Sequence, residues 1–152
     1  MMIDNHMKML IPAYGKNESF ARNAVAGFAV ECAPTMSEIN DIKTAVSEAV
    51  TNAVVHAYEV ERAENIIEIC ADIDSGNTLT VSVRDFGCGI EDVAAAREPF
   101  FTTKPGEERS GMGFTMIETF MDDMTVDSAP GKGTTVVMRK RIGGDAGTRR
   151  NA

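Results

Sequence analysis

Between Ile39 and Val83 the apolar residues change their spacing once, and that change limits what the chain can become. Ile39, Ile42, Val46, Ala49, Val50, Ala53 and Val54 recur at the three-and-four interval of one helix face. After a charged stretch at 59–65, the interval becomes two. Residues 66–73 and 79–83 read as strands, with Leu79, Val81 and Val83 pointing one way and Thr80, Ser82 and Arg84 the other. Asp74-Ser-Gly-Asn77 between them is turn chemistry, so the two runs form a hairpin. A one-sided helix and a one-sided sheet must cover each other, which predicts a layered α+β fold.

The rest of the chain extends the pattern. Residues 7–13 form a short apolar run ending near Pro12, a first strand. Asn17 or Ser19 can cap a helix reaching about Cys32, with Phe20, Ala24, Val25, Phe28 and Ala29 on one face. Ala33-Pro-Thr35 breaks it, and Thr35-Met-Ser-Glu38 reads as a capping box opening the long helix, which should run to about Tyr58. Residues 91–97 suggest one or two helical turns, 99–111 a polar, basic, mobile loop, and 114–121 a helix. Residues 124–128 and 134–141 read as a final hairpin across Ala129-Pro-Gly-Lys-Gly133. Residues 143–152 have little to bury and read as a disordered tail. The order β-α-α-β-β-α-β-β over residues 1–142 predicts one domain, a two-layer sandwich with helices on one face of a mixed, mostly antiparallel sheet.

Composition narrows the function classes. A chain of 152 residues suits one domain. A net charge of -8 argues against general nucleic-acid binding, because phosphate backbones repel an acidic surface, and it suits a basic protein partner. No apolar stretch approaches the ~20 residues that span a bilayer, and no leader-like segment opens the chain, so a cytoplasmic protein is expected. Cys32, Cys70 and Cys88 are widely spaced and form no CxxC, which points to free thiols rather than zinc or disulfides.

Three segments can carry chemistry. Glu48 and Asn52 lie four apart on the long helix, so their side chains emerge side by side. An amide oxygen there can ligate Mg²⁺ while the carboxylate takes a proton, although a solvated helix face would look the same. His56 continues that line and reads as a polar residue near the helix end. Asp85-Phe-Gly-Cys-Gly89 follows a strand directly. Its aspartate can accept from an exocyclic amino group and its glycines allow close approach, or the segment is simply a turn with a local cap. Ser110-Gly-Met-Gly-Phe114 opens a helix, where N–H groups and glycines make an anion cradle. It is neither a GxxxxGK[ST] loop nor a dinucleotide fingerprint. Lys104 and Arg109 upstream can reach phosphates, and Thr102, Thr103 and Ser110 offer hydroxyls. The alternative is a solvated basic loop.

In this order and spacing, the three segments resemble the N, G1 and G2 boxes of the GHKL ATPase/kinase superfamily, which includes gyrase, Hsp90, histidine kinases and MutL. Within it, Asn17-Glu-Ser-Phe-Ala-Arg22, the segment 42–53, Pro99-Phe-Phe-Thr-Thr-Lys-Pro105 and Glu108-Arg-Ser-Gly-Met-Gly-Phe-Thr115 are similar to the family of anti-sigma F factors of spore-forming bacteria. Those are small serine kinases that also sequester a sigma factor. The likeness spans about residues 7–142. It implies a Bergerat-type ATP site in which Asn52 ligates Mg²⁺, Glu48 is the general base and Asp85 recognises adenine, with Gly87 and Gly89 shaping that pocket. It makes residues 99–113 an ATP lid. Thr102, Thr103, Lys104, Ser110, Gly111, Met112, Gly113 and Phe114 would then handle the phosphates, and Arg109 would approach the γ-phosphate. Thr134 matches a position supporting the adenine contact, and Arg22 one on the protein-binding surface. The implied reaction moves the γ-phosphoryl group of Mg·ATP to a serine of an anti-anti-sigma protein, leaving ADP. The implied partners are a sporulation sigma factor, that antagonist and a second copy of the chain. Cys88 stands where relatives carry an aliphatic residue, and Ala57 where a glycine is common. The alternatives are a nucleotide-gated sigma-binding module with little turnover, or a stress-response kinase of the same family.

Overall fold

The long helix forms because its first turn satisfies itself. In the computed structural model, which describes residues 2–98 and 113–143, the capping box is complete. The Thr35 hydroxyl accepts from the Glu38 N–H at 3.1 Å, and the Glu38 carboxylate accepts from the Thr35 N–H at 3.0 Å. Helix α2 (Met36–Asn52) follows and buries Ile42, Ala45, Val46, Ala49 and Val50, while Ile39 and Val54 lie half-buried at the rims of that arc. It does not continue regularly to Tyr58. After Asn52 it widens into a π turn, Ala53–Ala57, and Tyr58 is extended. Ala57 is the last residue of that turn, and its carbonyl accepts from the Cys88 N–H at 3.0 Å.

Helix α1 (Asn17–Ala29) starts without a side-chain cap. The Asn17 amide instead donates back to the Pro12 carbonyl at 2.9 Å, tying the helix to the preceding strand. Its buried stripe is Ala21, Val25, Ala26 and Ala29. Small residues let α1 lie close against α2, and Phe20, expected to face inward, stands beside that stripe and is 58% exposed. A 3₁₀ turn (Val30–Cys32) and Ala33, with φ at 54°, end the helix.

The sheet comprises β1 (Ile3–Pro12), β2 (Ile66–Asp74), β3 (Thr78–Asp85), β4 (Asp123–Ser128) and β5 (Thr134–Arg141) in the order β1-β2-β3-β5-β4. Each of the four pairings is antiparallel. Ile69 opposes Val83, which opposes Val136, and Ala71 opposes Val81, which opposes Met138. All six are buried toward the helices. The same alternation carries β3 past Val83 to Asp85, so a carboxylate falls at the end of an inward apolar row. Strand β1 begins at Ile3 rather than Met7. Its first half is exposed, and the strand is held by backbone pairing, by an ion pair of Lys8 with Glu68 at 2.8 Å and by a hydrogen bond between His6 and Asp72, which leave no apolar trace.

Short helix α3 (Val93–Ala96) is capped by the Asp92 carboxylate, which accepts from the Ala95 N–H at 3.0 Å. Helix α4 (Gly113–Phe120) buries Phe114 and Ile117 and packs on α2. The Lys140 ammonium donates to the Phe120 carbonyl at 2.8 Å, holding the end of α4 to β5. No helix among the described residues is long and apolar enough to cross a membrane. The expected loop at 99–111 and most of the expected tail, 144–152, lie outside the described residues.

Two substitutions separate local from core stability. Thr35→Ala should cost about 1 kcal/mol by removing the cap, and Ile69→Ala about 2–5 kcal/mol by leaving a cavity between sheet and helices. Urea unfolding followed by circular dichroism measures both. An Ile69→Ala loss no larger than that of Thr35→Ala contradicts this account of the core.

Candidate functional site

A cavity of about 530 Å³ opens where the end of α2, the end of β3, the β4–β5 hairpin, α3 and the start of α4 converge. That volume is in the range of small-molecule sites. Asn52, His56, Asp85, Cys88, Gly89, Gly113, Phe114 and Thr134 all line it. The structure therefore brings residues from all three sequence motifs to one place.

Asp85 is 6% exposed and is the buried charged residue of the described core. Its Oδ1 accepts from the Gly87 N–H at 3.0 Å and from the Thr134 N–H at 3.2 Å. Burial pushes its carboxyl above the usual carboxylate range, and those two N–H donors pull it partly back. Both donors go to Oδ1, so Oδ2 remains as an acceptor for whatever enters. Burying a carboxylate oxygen with no partner is costly in a core, whereas in a cavity wall it is a recognition group.

The turn after β3 is clamped from both sides. The Cys88 N–H donates to Ala57 at 3.0 Å, and the Cys88 carbonyl accepts from the Gly131 N–H at 2.7 Å. A Cβ on Gly87 would lie 2.0 Å from the Ala57 carbonyl oxygen, and one on Gly89, whose φ is +77°, would lie 1.9 Å from that of Ala129. These glycines let the turn fit between the helix end and the hairpin, and so fix where Asp85 stands. Tyr58 adds a bolt that the sequence reading missed. Its hydroxyl donates to the Ile66 carbonyl at 2.7 Å and accepts from the Phe86 N–H at 2.9 Å. A tyrosine just after a helix end is the signal that pointed to it, since a half-buried phenol needs a partner.

The start of α4 closes another wall. A Cβ on Gly113, the first described residue of α4, would come within 2.8 Å of both amide atoms of Asn52, so the glycine lets α4 lie against that amide as it stands. An amide oxygen beside helix N–H groups is suited to a polyphosphate and its cation. Among the described residues no cluster of three or more His, Cys, Asp or Glu could hold a metal alone. The cavity thus sets a buried carboxylate, Asp85, and an amide, Asn52, in one lining, and its volume is that of a small-molecule site.

Other expected residues are placed differently. Glu48 is half-buried one turn before Asn52 and does not line the cavity. Arg22 lies on α1 and lines a separate groove of about 360 Å³ with Glu18, Thr51 and Val54. Its Nη1 donates to both oxygens of Glu18 at 2.8 Å, and Ser47 donates to the same carboxylate. Thr102, Thr103, Lys104, Arg109, Ser110, Gly111 and Met112 lie outside the described residues, and of the expected lid's glycines only Gly113 falls within them.

Comparison with known proteins gives the family. Residues 13–140 match the model of the histidine kinase-like ATPase domain. An anti-sigma F factor of Thermoanaerobacter sp. (strain X514) is 54% identical over 145 residues, covering 95% of this chain and 99% of the relative. An anti-sigma F factor of Bacillus velezensis is 49% identical over 138 residues, covering 91% and 93%. The crystal structure of the RsbU and RsbW domains of a Mycobacterium tuberculosis protein shares the fold, with a TM-score of 0.65 at 20% identity, covering 91% of this chain and 32% of that one. The chain belongs to the family of anti-sigma F factors, within the histidine kinase-like ATPases.

Proposed function

We propose that the protein is an anti-sigma factor and protein serine kinase. It holds a sporulation sigma factor, and it transfers the γ-phosphoryl group of Mg·ATP to a serine of the anti-anti-sigma protein that releases that sigma factor. The observation that carries this reading is one cavity lined both by Asp85, with an open oxygen, and by Asn52, which lies against Gly113 of α4. The family membership supports the sigma partner.

In this reading Asp85 takes the base amino group, and Gly87 and Gly89 let the base approach. Asn52 holds the ion, and the first N–H groups of α4 face the phosphates. Bound Mg·ATP supplies the phosphoryl donor and neutralises its charge. Transfer then needs alignment and a base, with little covalent chemistry from the protein. Glu48 takes the proton of the partner serine as its oxygen bonds to phosphorus and the bridging oxygen leaves with ADP. Arg109 supports the charge on the transferring group. Arg22, with Glu18 and Thr51 along the α1–α2 groove, presents the protein-binding surface. A second reading, a nucleotide-gated binding module with little turnover, is favoured by one observation: Glu48 stands outside the cavity lining.

A γ-labelled ATP assay with Mg²⁺ and the anti-anti-sigma protein of the same organism separates the two. Wild-type protein should label serine. Glu48→Gln should retain ATP binding and lose roughly 10²–10⁴-fold in transfer, while Asn52→Ala should lose Mg·ATP binding itself. Normal transfer by Glu48→Gln rules out Glu48 as the base, and tight ATP binding without transfer by the wild type selects the binding module.

Asp85→Asn tests the base contact. The substituted amide keeps an oxygen for Gly87 and Thr134 but turns an NH₂ toward the cavity, so ATP affinity should fall at least about 10-fold. Stability without ligand should move the other way. Because burial raises the folded-state pKa of Asp85, the unfolded chain releases this proton first. Stability falls as pH rises from about 4 through the folded pKa, and the cost is complete once Asp85 ionises in the folded protein. Asp85→Asn removes that cost, so the variant should melt no lower than wild type at pH 7 to 8. A variant that binds ATP normally overturns the assignment.

A further inference from the structure

Ser128, at the end of β4, stands behind Thr134 and is committed on every side. Its hydroxyl oxygen accepts from the Ile90 N–H at 2.8 Å and donates to the Gly133 carbonyl at 2.9 Å. It also lies 2.8 Å from the Thr134 hydroxyl. A serine hydroxyl has one proton and two acceptor positions. The Gly133 carbonyl can only accept, so it takes the Ser128 proton. The Ile90 N–H fills one acceptor position. The remaining contact is then a hydrogen bond only if Thr134 donates its proton to Ser128. Thr134 therefore shows the cavity lone pairs and no proton.

We infer that Ser128 is a positioning residue that sets the base specificity of the site by holding the Thr134 hydroxyl as an acceptor. This rests on the reading of the cavity as a nucleotide site and adds how it selects its base. With Thr134 held, the wall carries two acceptors, Thr134 Oγ1 and Asp85 Oδ2, the latter left open because both N–H donors go to Oδ1. Two acceptors match the two N–H groups of a 6-amino purine, whereas a 6-oxo purine sets a carbonyl against them and offers one donor, its N1–H, beside it. Asp85 alone cannot make the wall one-sided, because a freely turning Thr134 hydroxyl would offer a donor to the oxo group. Ser128 removes that option without touching the ligand, since it does not line the cavity.

The probe is inosine triphosphate, which replaces the 6-amino group of ATP by an oxo group. Dissociation constants for ATP and inosine triphosphate are measured by calorimetry with Mg²⁺ on wild-type protein and on Ser128→Ala, Ser128→Cys, Ser128→Thr and Thr134→Val. Wild type should bind ATP much more tightly. In Ser128→Ala the Thr134 proton is released, and the preference for ATP should shrink about 10-fold, the effect of one hydrogen bond. Tighter inosine triphosphate binding should account for most of that change. Ser128→Cys, whose thiol is a weak acceptor, should move the same way and covers the case in which Ser128→Ala folds poorly. Ser128→Thr should restore the wild-type ratio. In a Thr134→Val background, Ser128→Ala should change the ratio no further, because its effect passes through Thr134. A ratio within twofold of wild type in folded Ser128→Ala or Ser128→Cys overturns the inference. So does an equal loss for both nucleotides, which would make Ser128 merely structural. Wild-type protein that binds neither nucleotide overturns the nucleotide reading, and this inference with it.

Discussion

Asp85 buries a carboxylate at the end of the apolar face of β3, and the segments around it are arranged to supply its hydrogen bonds. Asp85 sits where the inward alternation of β3 would place another valine, and desolvation there raises its pKa. Two backbone N–H groups, from Gly87 and Thr134, offset part of that cost, and both come from segments that must be held in place. The Gly87 donor exists only because the turn is pinned between the Ala57 carbonyl and Gly131. The Thr134 donor exists because β5 pairs with β3 in a register that sets Thr134 opposite Asp85. The π turn of α2, the close-packed glycines and the β4–β5 hairpin are thus parts of one support for one oxygen atom that faces the cavity.

The support explains why the elements around the cavity look irregular while the far side of the sheet does not. The π turn ends the helix at Ala57, whose terminal carbonyl accepts from the Cys88 N–H. A side chain at Gly113 would displace the Asn52 amide from where it stands. Away from the cavity, β1 pairs with β2 along its length with one irregularity near its start. Irregular backbone has been concentrated where small groups must meet.

Much of this was legible in the sequence. The capping box, the inward arc of α2 and both hairpins follow from spacing and turn chemistry, and they stand where those signals placed them. The three motifs were legible as well, and the cavity joins them. Asp85 was legible in kind but not in depth: the alternation of Leu79, Val81 and Val83 had only to be carried one step further to turn it inward. Other features left no local trace. The first half of β1 is held by backbone pairing and charge rather than apolar burial. The π turn answers to an acceptor needed by Cys88, far along the chain. Phe20 satisfied the helical period but lost its place in the core to alanines that pack closer. Tyr58 and Ser128 act through backbone partners distant in sequence, which no periodicity reports.

The central claim is that the open oxygen of Asp85 and its neighbour Thr134 receive the amino group of a nucleotide base. Calorimetric titration of the protein with ATP and with N6,N6-dimethyl-ATP, both with Mg²⁺, tests it most directly, because the second ligand keeps every phosphate contact and loses both amino protons. The account predicts one ATP per chain and binding of the dimethylated analogue weaker by at least about 100-fold, as for a site whose polar groups are left unpaired. Equal affinity for the two would contradict it.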